Sequence, residues 1–189
     1  KINKFVRQKI LRAIKKNIND CDLIILSDYN KGMLDRVTLK EIIKISNKNY
    51  KTILVDPKKS DLEAYAGVNL ITPNVNELKN YSKKPLVSER DIVNCCVNLI
   101  NEHFFDEVLL TRSEKGLTLF NKNVTKNFSS VTKKVYDVTG AGDTMIAVTA
   151  LMKAIGLDTL EAALISNYAA GIVVSKSGTA VTNIKEITT

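Results

Sequence analysis

Asp143 follows Thr139-Gly140-Ala141-Gly142 and stands just ahead of a long apolar run, a placement suited to chemistry on an anion. Gly140 and Gly142 let the backbone turn tightly and bring the amides of Gly140, Ala141 and Gly142 close to a ligand. The run from Met145 to Ile155 reads as a helix. Its unpaired first N–H groups and its dipole, equivalent to about +0.5 charge, point at the same spot. Such a site favours an anion whose charge grows during a reaction. A carboxylate inside it is costly unless it acts, for instance by taking a proton from an attacking hydroxyl. The plain alternative is that Asp143 only caps the helix.

Further polar residues stand where strands give way to loops. Asn74 and Glu77 lie three apart after Thr72-Pro73, at a helix start, and share one helix face. An ordinary cap with a Glu at its third position has the same spacing. Thr111-Arg112-Ser113-Glu114-Lys115-Gly116 reads either as a ligand loop or as a hairpin turn. Lys31 beside Gly32, and Lys58 after Asp56-Pro57, put point charges at strand ends, where they suit a phosphate; surface lysines are the alternative.

The elements that must position these residues follow from periodicity. Ile2, Phe5, Val6, Ile10, Ile14 and Ile18 recur at helical spacing. Short apolar runs at 23–26, 52–55, 69–71 and 107–110 read as strands, and 117–120 pairs with the last as a hairpin. Helices are expected over 37–46, from Ser88-Glu89-Arg90-Asp91 (a capping-box pattern) to about 102, over 144–155, and from 160 to about 175. Short apolar strands alternating with helices predict an α/β fold, a mostly parallel sheet covered by helices on both faces. In such a sheet, ligands bind beyond the carboxyl ends of the strands. The loops at Asp28, Asp56, Asn74, Thr111 and Gly140 therefore belong on one edge.

Composition narrows the partners. With 189 residues and 44% hydrophobic content, one domain over 1–189 is expected. The net charge of +8 could suggest nucleic acid, but the 28 Lys and Arg are scattered and no aromatic-interleaved basic patch exists, so solvated helix faces account for most of them. Cys21, Cys95 and Cys96 have neither a disulfide nor a metal spacing and read as packed thiols of a reducing cytosol. His103, the sole histidine, reads as a surface or boundary residue. No run approaches a membrane span. The expected partners are small anionic molecules, with neither nucleic acid nor membrane among them.

Asp137-Val138-Thr139-Gly140-Ala141-Gly142-Asp143-Thr144 resembles the C-terminal signature of the ribokinase-like (phosphofructokinase B) carbohydrate kinases. Leu26 to Gly32, Val55 to Lys58, Thr72 to Glu77 and Thr111 to Gly116 appear in the order that family implies. Together they look most like the kinase domain of the bacterial D-glycero-D-manno-heptose-7-phosphate kinases, over nearly the whole chain. The resemblance implies phosphorylation of the heptose 7-phosphate at C1 by ATP, in ADP-heptose and lipopolysaccharide core synthesis. Another ribokinase-like kinase, acting on ribose or a fructose phosphate, and a non-catalytic nucleotide-binding fragment are the alternatives.

Residue roles follow from the same resemblance. Asp143 would be the base, and Gly140, Ala141 and Gly142 the anion hole. Asn74, Glu77, Thr111, Ser113, Gly116 and Asn167 would serve the nucleotide, with Asn74 and Glu77 also placing magnesium through water. Asp28, Lys31 and Lys58 would serve the sugar phosphate. Asp137 either finishes a strand and caps the turn or, with Thr139 and the carbonyls of Val174 and Gly178, holds a monovalent cation such as potassium. Lys59-Ser60 departs from the Gly-Thr expected after Lys58. The family is longer at the front, so the chain is expected to be the C-terminal part of a cytoplasmic, homodimeric kinase, lacking its N-terminal strands and β lid. A cytidylyltransferase domain would follow on the same chain or exist as a separate protein; these residues show no trace of it.

Overall fold

A computed structural model describes residues 2–58, 61–132 and 134–188. Helix α1 (Lys4–Asn17) leads into strand β1 (Leu23–Ser27), helix α2 (Arg36–Lys48) and strand β2 (Thr52–Asp56). Strand β3 (Leu70–Ile71), helices α3 (Val75–Tyr81) and α4 (Glu89–His103), and strand β4 (Glu107–Thr111) follow. Then come β5 (Leu117–Asn121), β6 (Thr125–Phe128), α5 (Ala141–Ala154), α6 (Thr159–Val174) and the short α7 (Ile184–Thr188). One sheet runs in the order β1-β2-β3-β4-β5-β6. Its first four strands are parallel, and β5 and β6 return antiparallel.

Alternation along the strands builds two cores. Ile53, Val55, Val108, Leu110 and Phe120 pack with Leu39 and Ile42 of α2 and Cys96 and Leu99 of α4. Leu54, Leu109, Leu117 and Leu119 face the other way, against Met145, Ile146 and Ala150 of α5 and Ala163 of α6. Both faces are thus covered, as a mostly parallel sheet requires. The chain crosses over on the first face through α2 and then through α3 and α4, and covers the second only after the antiparallel pair.

Local signals explain most boundaries. Asp35 accepts the Thr38 amide and caps α2, while Ser88 and Asp91 form a reciprocal capping box on α4. Three differences from the sequence reading have physical causes. Strand β6, Thr-Lys-Asn-Phe, has almost no apolar alternation because it is an exposed edge. Helix α7 is one turn long and buries none of its residues, so periodicity does not reveal it. Helix α5 begins at Ala141, ahead of the expected 144, because Gly140 at φ 81° supplies the turn into it.

Candidate active site

The parallel strands end together, which gathers their loops. Ser27 pairs with Asp56 in register, the Asp28 amide donates to the Asp56 carbonyl, and Asn74 bridges Thr111. A cleft of about 660 Å³ opens beyond these ends, lined among others by Lys58, Asn74, Glu77, Thr111, Ser113 and Gly142. Ala141, Gly116, Asn167 and Val174 also line it. A smaller cavity of about 410 Å³ lies at the opposite strand ends, around Tyr50, Thr52, Gly67 and Phe104. No candidate from the sequence falls there.

The start of α5 differs from the sequence reading in three ways. Gly140 is the N-cap, so Asp143 is the third helical residue and not a cap. Gly142 is helical, so no turn requires it; a Cβ there would meet nothing within 4 Å, and its absence keeps that wall of the cleft open. The Ala141 amide donates to the Val138 carbonyl at 3.2 Å. Among the described residues, the amides of Gly140, Gly142 and Asp143 have no protein acceptor, so these, rather than that of Ala141, are available to an anion. Asp143 is exposed, and its Oδ1 accepts the Tyr29 hydroxyl at 3.2 Å.

Lys58 sits among carboxylates. Its Nζ lies 2.9 Å from Asp56 Oδ1 and 3.2 Å from Glu77 Oε1. Burial pushes the Asp56 carboxyl above its usual range; Lys58 opposes this, and the charges of Glu77 and Asp143 reinforce it. Burial alone would depress the Lys58 ammonium, but the bonds and charges of Asp56 and Glu77 outweigh it and the net shift is upward. Asn74 and Glu77 do form the capping box: Asn74 Oδ1 accepts the Glu77 amide at 2.9 Å, and Glu77 Oε2 accepts the Asn74 amide at 2.8 Å. The cap and the cleft wall are the same two residues. With Oε2 tied to the cap, Glu77 suits contact with hydrated magnesium better than direct ligation, and no group of three or more His, Cys, Asp or Glu that could hold a metal ion exists among the described residues.

The 111–116 segment is both a hairpin turn and a cleft wall. Ser113 takes φ 53° and Gly116 φ 83°. Gly116 has a packing reason, since a Cβ there would lie 2.1 Å from the Phe128 carbonyl oxygen and 2.6 Å from the Ser130 nitrogen. Arg112 anchors the turn through Glu89, with Nη2 at 2.5 and 2.7 Å from the two carboxylate oxygens. Across the cleft, the Asn167 side-chain Nδ2 donates to the Ser129 carbonyl at 2.8 Å.

Asp28, Lys31, Asp137, Thr139, Gly140, Asp143 and Gly178 do not line the cleft, although Ala141 and Gly142, which stand between Gly140 and Asp143, do. Asp28 is 3% exposed and turned inward, where its Oδ2 accepts the Tyr65 hydroxyl at 2.6 Å and its Oδ1 the Asn30 amide at 2.7 Å. That geometry makes it a strut of the 28–32 loop. Lys31 is exposed on the same loop. Asp137 ends no strand; its Oδ1 accepts the Thr139 amide, and the Thr139 hydroxyl first and its amide second hold the carboxyl below the usual range. The Val174 carbonyl accepts the Tyr136 amide at 2.8 Å, which brings it beside the Asp137 turn, and Gly178 takes φ 74° in the following loop. Lys59 and Ser60 lie outside the described residues. Sequence reasoning missed Asp56 and Tyr29 as members of the site, although both fall inside motifs it singled out. Ser130 and Thr132, which also line the cleft, belong to no motif.

The pfkB family carbohydrate kinase model matches residues 2–186. The chain belongs to that family. This pfkB chain is 40% identical over 182 residues to the "Bifunctional protein HldE" of Mesorhizobium japonicum, covering 96% of the chain and 37% of that protein. It is also 40% identical over 186 residues to the protein of the same name from Aliarcobacter butzleri, covering 98% and 39%. The pfkB chain therefore spans well under half the length of these curated relatives. Its fold is that of phosphofructokinase-2 from Escherichia coli, solved with potassium, at a TM-score of 0.83 and 17% identity, covering 94% of the chain and 60% of that structure. Ribokinase of Arabidopsis thaliana, solved with ribose and ATP, superposes at 0.81 with 19% identity, covering 95% and 57%. The α/β fold is ribokinase-like.

Proposed function

We propose that this chain is the nucleotide-binding and catalytic-base part of a cytoplasmic kinase. The kinase transfers the γ-phosphoryl of ATP to the C1 hydroxyl of D-glycero-β-D-manno-heptose 7-phosphate. The observation that carries this reading is the cleft at the parallel strand ends, where Lys58, Asn74, Glu77, Thr111, Ser113 and Asn167 meet the open N-terminus of α5 beside Asp143. The heptose assignment is supported by the wording of the 28–32 and 55–58 loops and by 40% identity to proteins named HldE.

In this mechanism the sugar oxygen attacks the γ-phosphorus, the bond to the bridging oxygen of the leaving ADP breaks, and Asp143 takes the hydroxyl proton. The free amides of Gly140 and Gly142 meet the equatorial oxygens of the moving group, where charge develops. Lys58, held beside Asp56 and Glu77, serves the sugar phosphate, and the 111–116 turn with Asn167 holds the nucleotide. Magnesium, contacted through water by Asn74 and Glu77, would neutralise phosphate charge when bound. Potassium near Asp137 and Val174, a homodimeric parent and an accompanying cytidylyltransferase domain belong to the same reading.

The test has two arms. Calorimetric titration of the folded chain with MgADP should show binding, and Ser113→Pro should weaken it. A specificity panel on the full-length protein that carries this chain should then show heptose 7-phosphate outpacing ribose and fructose 6-phosphate. Ribose giving the highest kcat/KM would transfer the assignment to another ribokinase-like kinase, and no nucleotide binding at all would sink the kinase reading for this chain.

A further inference from the structure

We propose that Tyr29 is a positioning residue for Asp143, an inference that rests on the kinase reading above. The two residues are 114 positions apart, yet the Tyr29 hydroxyl donates to Asp143 Oδ1 at 3.2 Å. The rest of the 28–32 loop is built to put that hydroxyl there. At its root the Asp28 amide donates to the Asp56 carbonyl, continuing the β1–β2 pairing. The Asp28 carboxylate accepts the Asn30 amide and the hydroxyl of Tyr65, a fully buried ring of the first core. Asn30 at φ 53° and Gly32 at φ 89° fold the segment back on itself, with Tyr29 between the fixed root and the turn. A buried strut thus carries an outward residue.

Stability does not explain the contact. The Tyr29 side chain is 60% exposed, and Asp143 is exposed as well. A hydrogen bond in water contributes little to folding, because both groups find solvent partners in the unfolded chain. Its effect is on orientation. With Oδ1 held, Asp143 keeps Oδ2 free of hydrogen bonds among the described residues, so one oxygen is fixed and the other is available to a substrate hydroxyl. In phosphoryl transfer, where positioning supplies most of the catalysis, a base confined to one rotamer matters more than a stronger one.

The experiment compares Tyr29→Phe with the control Tyr50→Phe, whose hydroxyl lies at the opposite strand ends. In the full-length enzyme, Tyr29→Phe should lower kcat about 3- to 10-fold, the range expected for one orienting hydrogen bond, with the KM for MgATP unchanged. In protein carrying ¹³C-labelled aspartate, with the signal assigned through Asp143→Asn, the Asp143 carboxyl resonance should move in Tyr29→Phe and stay in Tyr50→Phe. Full kcat in Tyr29→Phe, or an unmoved resonance, overturns the proposal. An unmutated protein that transfers no phosphoryl group from ATP refutes the kinase reading instead, and the resonance then decides by itself whether Tyr29 holds Asp143.

Discussion

Lys58 and Glu77 meet at 3.2 Å across the cleft mouth, one just beyond β2 and the other in the first turn of α3, and Asp56 holds the same ammonium at 2.9 Å. One cation thus serves two carboxylates that the strand ends force together. The pair is partly solvated and such pairs are individually weak, so Lys58 can part from Glu77 at little cost, and on the proposed function a phosphate would take that place.

Removing that cation should steepen the dependence of stability on pH. In Lys58→Met, Asp56 loses the partner that opposes its burial, so its carboxyl rises further. A folded-state pKa above the unfolded one means stability is lost as pH rises through it. The variant should therefore be less stable than the parent at pH 7, and the gap should narrow as pH falls toward the ordinary carboxylate range. Urea melts at a series of pH values measure this; a gap independent of pH would show that Asp56 does not feel Lys58.

Asp35 works with the opposite sign. The Thr38 amide is the main cause holding its carboxyl at about 2, against the usual 3.8, with the Thr38 hydroxyl and Arg7 assisting against desolvation. Its contribution is complete above the unfolded pKa and disappears as pH falls through about 2. Asp35→Ala, which removes an N-cap, should cost about 1–2 kcal/mol at neutral pH. The cost should shrink in acid, as read by denaturant unfolding at pH 7 and below pH 3.

Gly116→Ala should destabilise by at least about 2 kcal/mol, because the new methyl would collide with backbone and the φ of 83° suits glycine. Gly142→Ala is the contrast. It stands in a helix with open space around it, so stability should hold or rise slightly while MgADP binding weakens. Thermal melts and calorimetry on the two variants separate these outcomes.

Asp143→Asn in the full-length enzyme should lose about 10²- to 10⁴-fold in turnover, the usual range for a general base. Nucleotide affinity should hold or improve, since a negative charge near the γ-phosphate is gone. The stability change should stay within about 1 kcal/mol, the worth of a first-turn carboxylate on the helix dipole, because Gly140 is the cap. Near-normal turnover would remove Asp143 from the mechanism.

Much of this was legible in residue order. The strands at 23, 52, 70 and 107 are short apolar runs, and such runs have few ways to be buried other than in a parallel sheet. That rule places the loops at Asp56, Asn74 and Thr111 on one edge, and the capping boxes of α3 and α4 are local patterns readable from four residues. What sequence could not decide was direction. Whether Asp28 faces a ligand or Tyr65, whether the Ala141 amide is open or taken by Val138, and whether Gly116 serves a ligand or the Phe128 backbone all depend on partners brought in from distant segments. The meeting of Tyr29 with Asp143 is of the same kind. Local propensity and periodicity act over a few residues, and they determined which elements form and which ends carry polar groups. Packing of the two sheet faces acts over the whole chain, and it alone decided which of those polar groups meet.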